Sequence, residues 1–284
     1  MSNLTTRIPQ LLAAAACAVA LVGAASPAMA GRGGSYAAVQ NAINTNSKDA
    51  IIAELERSEF LICDRCIAPV MDLLDDDRYA VREVAAWWFA RRPVIAAQLV
   101  ERSYADLEGS DSRLARNAAD ILGTFRDPDA LPALEAAVTR TTLSAEARTA
   151  VVRAIGTIGN ARGSDALAAA MGDSDASVRH EALVAWIAIR RQRGAAPAVA
   201  LVADPDAKVR ARAAAVVGEM REASGRSALE AQLASDDDPT VRRNAAWALG
   251  RIGDAASRPA LEAATQDASS IVRATARAAI RQLR

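Results

Sequence analysis

Residues Asp238 to Gly253 read DPTVRRNAAWALGRIG. Asp238 followed by Pro239 is a helix start: the carboxylate accepts from the first free amides, and proline at the first helical position leaves no amide hydrogen unused. From Val241, apolar residues fall at offsets zero, four, seven, eight and eleven, which is one face of a helix. The same pattern recurs along the chain. Aligned on the Val and on the Gly nine residues later, the equivalent positions are Val81, Leu114, Ala147, Val178, Val209, Val241 and Val272, a period of roughly 31–33 residues. A period so regular is the signature of stacked supersecondary units. The strongest internal match sets Arg116-Asn117-Ala118-Ala119 against Arg243-Asn244-Ala245-Ala246.

Each copy divides into parts with separate physical jobs. Asp77, Asp111, Asp175, Asp206 and Asp238 precede the helices and are expected to cap them. Ala85, Ala182, Ala213 and Ala245 at offset four let a neighbouring helix come close. Gly123, Gly156, Gly218 and Gly250 either relieve close packing or end the helix. A shorter apolar helix follows: LPALEAAV from Leu131, DALAAAM from Asp165, SALEAQL from Ser227 and RPALEAA from Arg258. The first such helix is expected over residues 67–74. Two antiparallel helices per period cannot bury their faces alone, so they must stack.

The Asp-x-x-Val-Arg step and the Ala-Ala-x-Ala-Leu-Gly-x-Ile-Gly run resemble HEAT repeats, in particular the short HEAT-like repeats of the phycobilin lyase class. The resemblance covers roughly residues 65–284 and implies an all-α, right-handed α-solenoid of about seven helix pairs. It also implies that the Val-Arg helices line the inner side, and that Arg82, Arg148, Arg179, Arg210, Arg242 and Arg273 form a ladder with aspartates between repeats. Copy two departs from the pattern, with Ala115 in the arginine position and Arg116 beside it.

Composition agrees with helices. Hydrophobic residues make up 51% and aromatics only 4%, so the apolar mass is Ala, Val, Leu and Ile. Lys+Arg and Asp+Glu are 34 each, which leaves no global field to draw nucleic acid or an anionic membrane. Residues 1–30 read as an export signal: Arg7, an uncharged run from Leu11 to Ala25, and Ala28-Met29-Ala30 as a small-x-small cleavage pattern. The run is short for a membrane span. Cleavage near Ala30 would place the mature chain in a bacterial periplasm or outside the cell, and Cys17 adds a lipoprotein option. Residues 31–47 are expected to be a flexible lead-in, and residues 48–284 the repeat domain.

Few residues carry candidate chemistry. Cys63 and Cys66 form a Cys-x-x-Cys step, which in an oxidising compartment suggests a structural disulfide or a redox-active dithiol. Haem attachment would need His after Cys66, and the residue is Ile67. His180 is the only histidine, and His180-Glu181 is similar to one metal-binding step of deoxyhypusine hydroxylase. No other copy carries such a pair, and one imidazole with one carboxylate cannot hold a di-iron centre. No phosphate loop and no nucleophile elbow is present, so no catalytic residue and no cofactor is assigned. Trp87 and Trp247 both fall at offset six, outside the apolar face, and are read as groove anchors. Arg91, Arg116, His180, Arg243 and Arg251 flank that row. Trp88, Phe89 and Trp186 fall on the core face.

The sequence therefore reads as an exported scaffold, not an enzyme, binding a protein or peptide partner on its concave face as an adaptor or assembly factor. The alternatives are a periplasmic redox or cofactor-handling factor using Cys63 and Cys66, or an enzyme similar to the phycobilin lyases or to deoxyhypusine hydroxylase.

Overall fold

A computed structural model describes residues 34–190, 192 and 194–283. The export signal, its cleavage near Ala30 and the Cys17 option lie outside these residues. Seven inner helices carry the Val-Arg step or its equivalent: α4 (Tyr79–Ala90), α6 (Ser112–Phe125), α8 (Ala145–Ile158), α10 (Ala176–Ala188), α12 (Ala207–Glu219), α14 (Pro239–Ile252) and α16 (Ser270–Ile280). Each packs on the next. The outer layer is α3 (Asp64–Asp72), α5 (Pro93–Glu108), α7 (Leu131–Val138), α9 (Ser164–Ala170), α11 (Ala196–Val199), α13 (Arg226–Ser235) and α15 (Arg258–Ala264). The chain is an all-α solenoid, and no strand occurs among the described residues.

The lead-in differs from expectation. Tyr36–Asn44 is a helix, α1, capped by Ser35, and Lys48–Arg57 is α2. α1 packs on α2 and α3, while α2 packs on α4, so they form a further pair at the start of the stack. Gly, Ser and Asn mask the pattern, but Val39 and Ala42 are buried and Tyr36 and Ile43 pack beside them. An amphipathic pair at the end of a solenoid closes the apolar face of the first full repeat. The indole Nε1 of the fully buried Trp88 donates to the Ser58 carbonyl at 3.1 Å, fastening α4 to the end of α2.

Capping follows the sequence at four inner helices. Asp111, Asp175, Asp206 and Asp238 each accept from backbone amides two or three residues on, at 2.6–3.1 Å. Asp77 does not cap α4. Its side chain is fully exposed; the residue before α4 is Arg78, whose amide is held by Asp76 at 2.8 Å.

The four mid-helix glycines serve close approach. A Cβ on Gly218 would lie 2.6 Å from Ala248 Cα, and one on Gly250 would lie 2.7 Å from Ala279 Cβ. Gly123 and Gly156 face Ala154 and Ala185 in the same way. The helix ends are set elsewhere, for instance by Gly253 at φ 79°, a left-handed conformation that glycine adopts without strain.

The ladder is present, with acids other than the capping ones. Arg148, Arg179, Arg210 and Arg242 reach Asp173, Asp204, Asp236 and Asp267 of the following repeat at 2.7–2.8 Å. Each of these aspartates stands two residues before the next helix cap. Each also accepts the amide of that cap residue at 2.7–2.9 Å. Arg179, Arg210 and Arg242 donate as well to carbonyls in the turn before their own helix. Among the described residues Arg273 makes only these carbonyl contacts.

Where the acid is missing, the arginine changes. The turn before α8 has Thr142 in the acid position, and the repeat before it has Ala115 in place of the arginine. The turn before α6 has Gly109 there, and Arg82 is redirected to Asp120 in the middle of α6, 2.7 Å away. Arg82 thus keeps a carboxylate partner although its own rung lacks the acid, as burial of a charge requires.

Candidate functional site

The inner helices present offset six away from the core, and this row forms the candidate face. Trp87, Arg153, Val184, Ala215, Trp247 and Ala278 are half-buried along it. Asp120 is the exception, being buried at 4% exposure between Arg82 and Arg153. Trp88, Phe89 and Trp186 lie in the core.

At one end, the Arg91 guanidinium stands 5.3 Å over the Trp87 ring and its Nε pairs with Glu59 at 2.7 Å. Toward the other end, Arg251 stands 5.8 Å over the Trp247 ring. Stacking of this kind fixes a long cationic side chain at small entropic cost. Trp247 is more enclosed than a free anchor: it packs on the core, and its Cζ3 lies 2.8 Å from where a Gly218 Cβ would sit. Neither tryptophan is an exposed anchor; each shows one part of its ring beside an arginine.

Between them runs a charged network that the sequence reading left unassembled. Tyr79 Oη donates to Glu83 at 3.0 Å, and the Arg153 guanidinium lies 4.1 Å over the Tyr79 ring. Arg153 Nη1 reaches Asp120 at 3.2 Å, and its Nε reaches Glu181 at 3.5 Å. Burial pushes the Glu83 carboxyl up, and it pushes Asp120 up against the pull of Arg82 and Arg153. Burial also raises the Tyr79 phenol and keeps it neutral. The available signal was weak: Asp120 and Arg153 share offset six in adjacent copies, but opposite charges in one row also suit a solvated face.

The other predicted residues scatter. Arg116 is buried, pairs with Glu146 at 2.8 Å and donates to Asn117 at 3.0 Å, so it braces α6 against α8 and is not open to a partner. It fills the gap that Ala115 leaves in the ladder. Arg243 is half-buried. His180 is half-buried, and burial together with the nearby Arg212 lowers its pKa, so its imidazole is neutral at pH 7. Among the described residues, no three His, Cys, Asp or Glu side chains gather as metal ligands.

Cys63 and Cys66 are joined in a disulfide at the start of α3. Cys66 is fully buried and Cys63 half-buried. Beside them Phe60 and Ile62 are 82% and 96% exposed.

The HEAT-repeat family model matches residues 104–186 and 195–281, more than half of the chain. The chain belongs to the HEAT-repeat family. Its fold is similar to that of the Escherichia coli protein YibA, at 16% identity and a TM-score of 0.55, with 87% of this chain and 92% of YibA covered. It is also similar to Kap95p, solved with RanGDP, at 14% identity and a TM-score of 0.53; there 87% of this chain matches 40% of the larger protein. The CpcE–CpcF phycocyanin lyase of Nostoc is a more distant match, with 22% identity, a TM-score of 0.40, and 77% and 94% of the chains covered. At these identities the likeness concerns the fold alone. No curated protein matches the sequence. Among the described residues, no helix of this HEAT-repeat chain is long and apolar enough to cross a membrane.

Proposed function

We propose that the chain is an exported HEAT-repeat scaffold that binds a protein or peptide partner along its concave inner face, in an adaptor or assembly role. One observation carries the reading: two tryptophan–arginine stacks stand at the same register on α4 and α14, with a charged network between them. Stacked aromatic and arginine side chains are the residues that dominate protein interfaces. Five helix-to-helix steps of about 9 Å separate the two stacks, a span of about 45 Å. An extended peptide of about 14 residues covers that length. Kap95p, which shares the fold, is recorded binding RanGDP, an instance of protein capture by such a stack. Export rests on residues 1–30. The reading assigns no catalytic residue, cofactor or nucleic acid.

Crosslinking in the native periplasm followed by mass spectrometry would identify the partner. Trp87→Ala with Trp247→Ala is expected to weaken its capture while leaving the helical circular dichroism intact. Unchanged capture would remove the inner face from consideration.

A second reading makes the Cys63–Cys66 bond redox-active, and the exposed Phe60 and Ile62 beside the half-buried Cys63 favour it. Titration in defined thiol buffers separates the two readings. A structural bond stays oxidised well below about −300 mV, whereas a working dithiol reduces nearer cellular potentials.

A further inference from the structure

The C-terminal ends of α12, α14 and α16 enclose a cleft of about 420 Å³, lined among others by Arg221, Arg251, Arg281 and Gln282. The three arginines recur 30 residues apart, one at the end of each of three successive inner helices. Among the described residues none of the three forms an ion pair; Glu219, two residues before Arg221, is exposed and pairs with no cation, and the other acids nearby in sequence are engaged elsewhere. Glu222 accepts from Ser224 Oγ at 2.6 Å and from the Ala195 amide at 2.9 Å. Asp254 pairs with Arg226 at 3.2 Å, and Glu262 lies 3.9 Å from Arg258.

A cation at each helix C-terminus complements the helix dipole, and this accounts for one arginine per helix end. It does not account for Arg251. The Arg251 Nε is buried and, like Arg212 Nε, has no acceptor among the described residues. An unmatched buried donor is costly, and native proteins rarely keep one without an occupant. Its guanidinium is held in place by Trp247, which is itself wedged against Gly218. Gly250 lets α16 close up, bringing Gln282 Oε1 to 3.4 Å from where a Gly250 Cβ would sit. The wall of the cleft is therefore built around a positioned Arg251, and no acid of the described residues is paired with its three arginines.

We infer that this cleft binds a small multivalent oxyanion, a phosphate- or carboxylate-bearing molecule, through Arg221, Arg251 and Arg281. Planar guanidiniums grip such groups through paired N–H donors. The volume suits a small molecule and not a polymer. This site goes beyond the partner-binding reading and neither needs nor excludes it.

Isothermal titration of the full chain with inorganic pyrophosphate, and separately with citrate, at physiological ionic strength tests it. At least one anion is expected to bind at one site per chain. Preference for pyrophosphate assigns a phosphate-bearing ligand, and preference for citrate a carboxylate-bearing one. Arg221→Gln with Arg281→Gln is expected to weaken binding roughly tenfold or more, and Arg251→Gln to do the same. Arg126→Gln, at the end of α6, serves as a control and leaves it unchanged. Arg221 and Arg281 are exposed, so the double variant decides the question even if Arg251→Gln fails to fold. Absence of binding by both anions at millimolar concentration, or binding unaffected by the double variant, overturns the assignment.

Discussion

Arg179 and Asp204 stand on successive repeats, and their side chains meet at 2.7 Å with 11% and 3% of their surfaces exposed. The same guanidinium donates to the carbonyls of Asp173 and Ser174 in the turn before its own helix. One side chain thus ties a turn to its own helix and to the next repeat.

Removing the acid leaves a largely enclosed cation half-satisfied. Asp204→Ala is expected to cost about 3 kcal/mol, the usual cost of orphaning one member of a buried pair. Urea unfolding monitored by circular dichroism measures it, and Lys208→Ala on the exposed side of α12 should stay within about 0.5 kcal/mol of the wild type.

The ladder also predicts acid sensitivity. Burial works against the carboxylates of Asp173, Asp204 and Asp236, but hydrogen bonds from Arg148, Arg179 and Arg210 outweigh it and hold their pKa below the ordinary value; the Arg242 bonds do the same for Asp267. A depressed folded-state pKa gives stability that is fully present above the ordinary carboxylate value and is lost as pH falls through the folded one. Glu83 and Asp120, pushed up by burial, act in the opposite sense. The urea midpoint should therefore fall below about pH 4, and more steeply in Asp120→Asn, where one opposing contribution is gone.

Ala115 and Thr142 are a vacant rung. Ala115→Arg alone places a guanidinium with no acid opposite and should destabilise the chain. Combined with Thr142→Asp, the pair should show a favourable coupling of about 1 kcal/mol in a double-mutant cycle. Strict additivity would mean that Arg116 and Glu146 have taken over the space the rung needs.

The glycine seam gives a further test. Gly218→Ala would bring a Cβ within 2.6–2.8 Å of Ala248 and Trp247. Overpacking of this kind costs about 1–3 kcal/mol. The Trp247 emission should shift in the same variant, because the ring has to move.

The period, the caps at Asp111, Asp175, Asp206 and Asp238, and the core positions of Trp88, Phe89 and Trp186 were legible because each depends on local spacing. The ladder acids were not. In Asp236-Asp237-Asp238, only the fold shows that Asp238 caps while Asp236 meets Arg210 of the preceding repeat. Arg116 was misread for a related reason. Its offset matches the groove row, but the missing arginine at 115 draws it inward to Glu146 and Asn117. The helix at 36–44 has little propensity of its own and exists because α2 and α3 receive its apolar face.

The rungs lace only one edge of the stack, the edge where the inner helices begin. At the opposite edge three of the helices end in Arg221, Arg251 and Arg281, like charges that form no ion pair among the described residues. That edge is held by close backbone approach at Gly218 and Gly250, not by ion pairs. Salt and acid should therefore loosen the edge of the rungs and leave the glycine edge packed. An anion settling among those three side chains would add to the second edge the one kind of tie it lacks.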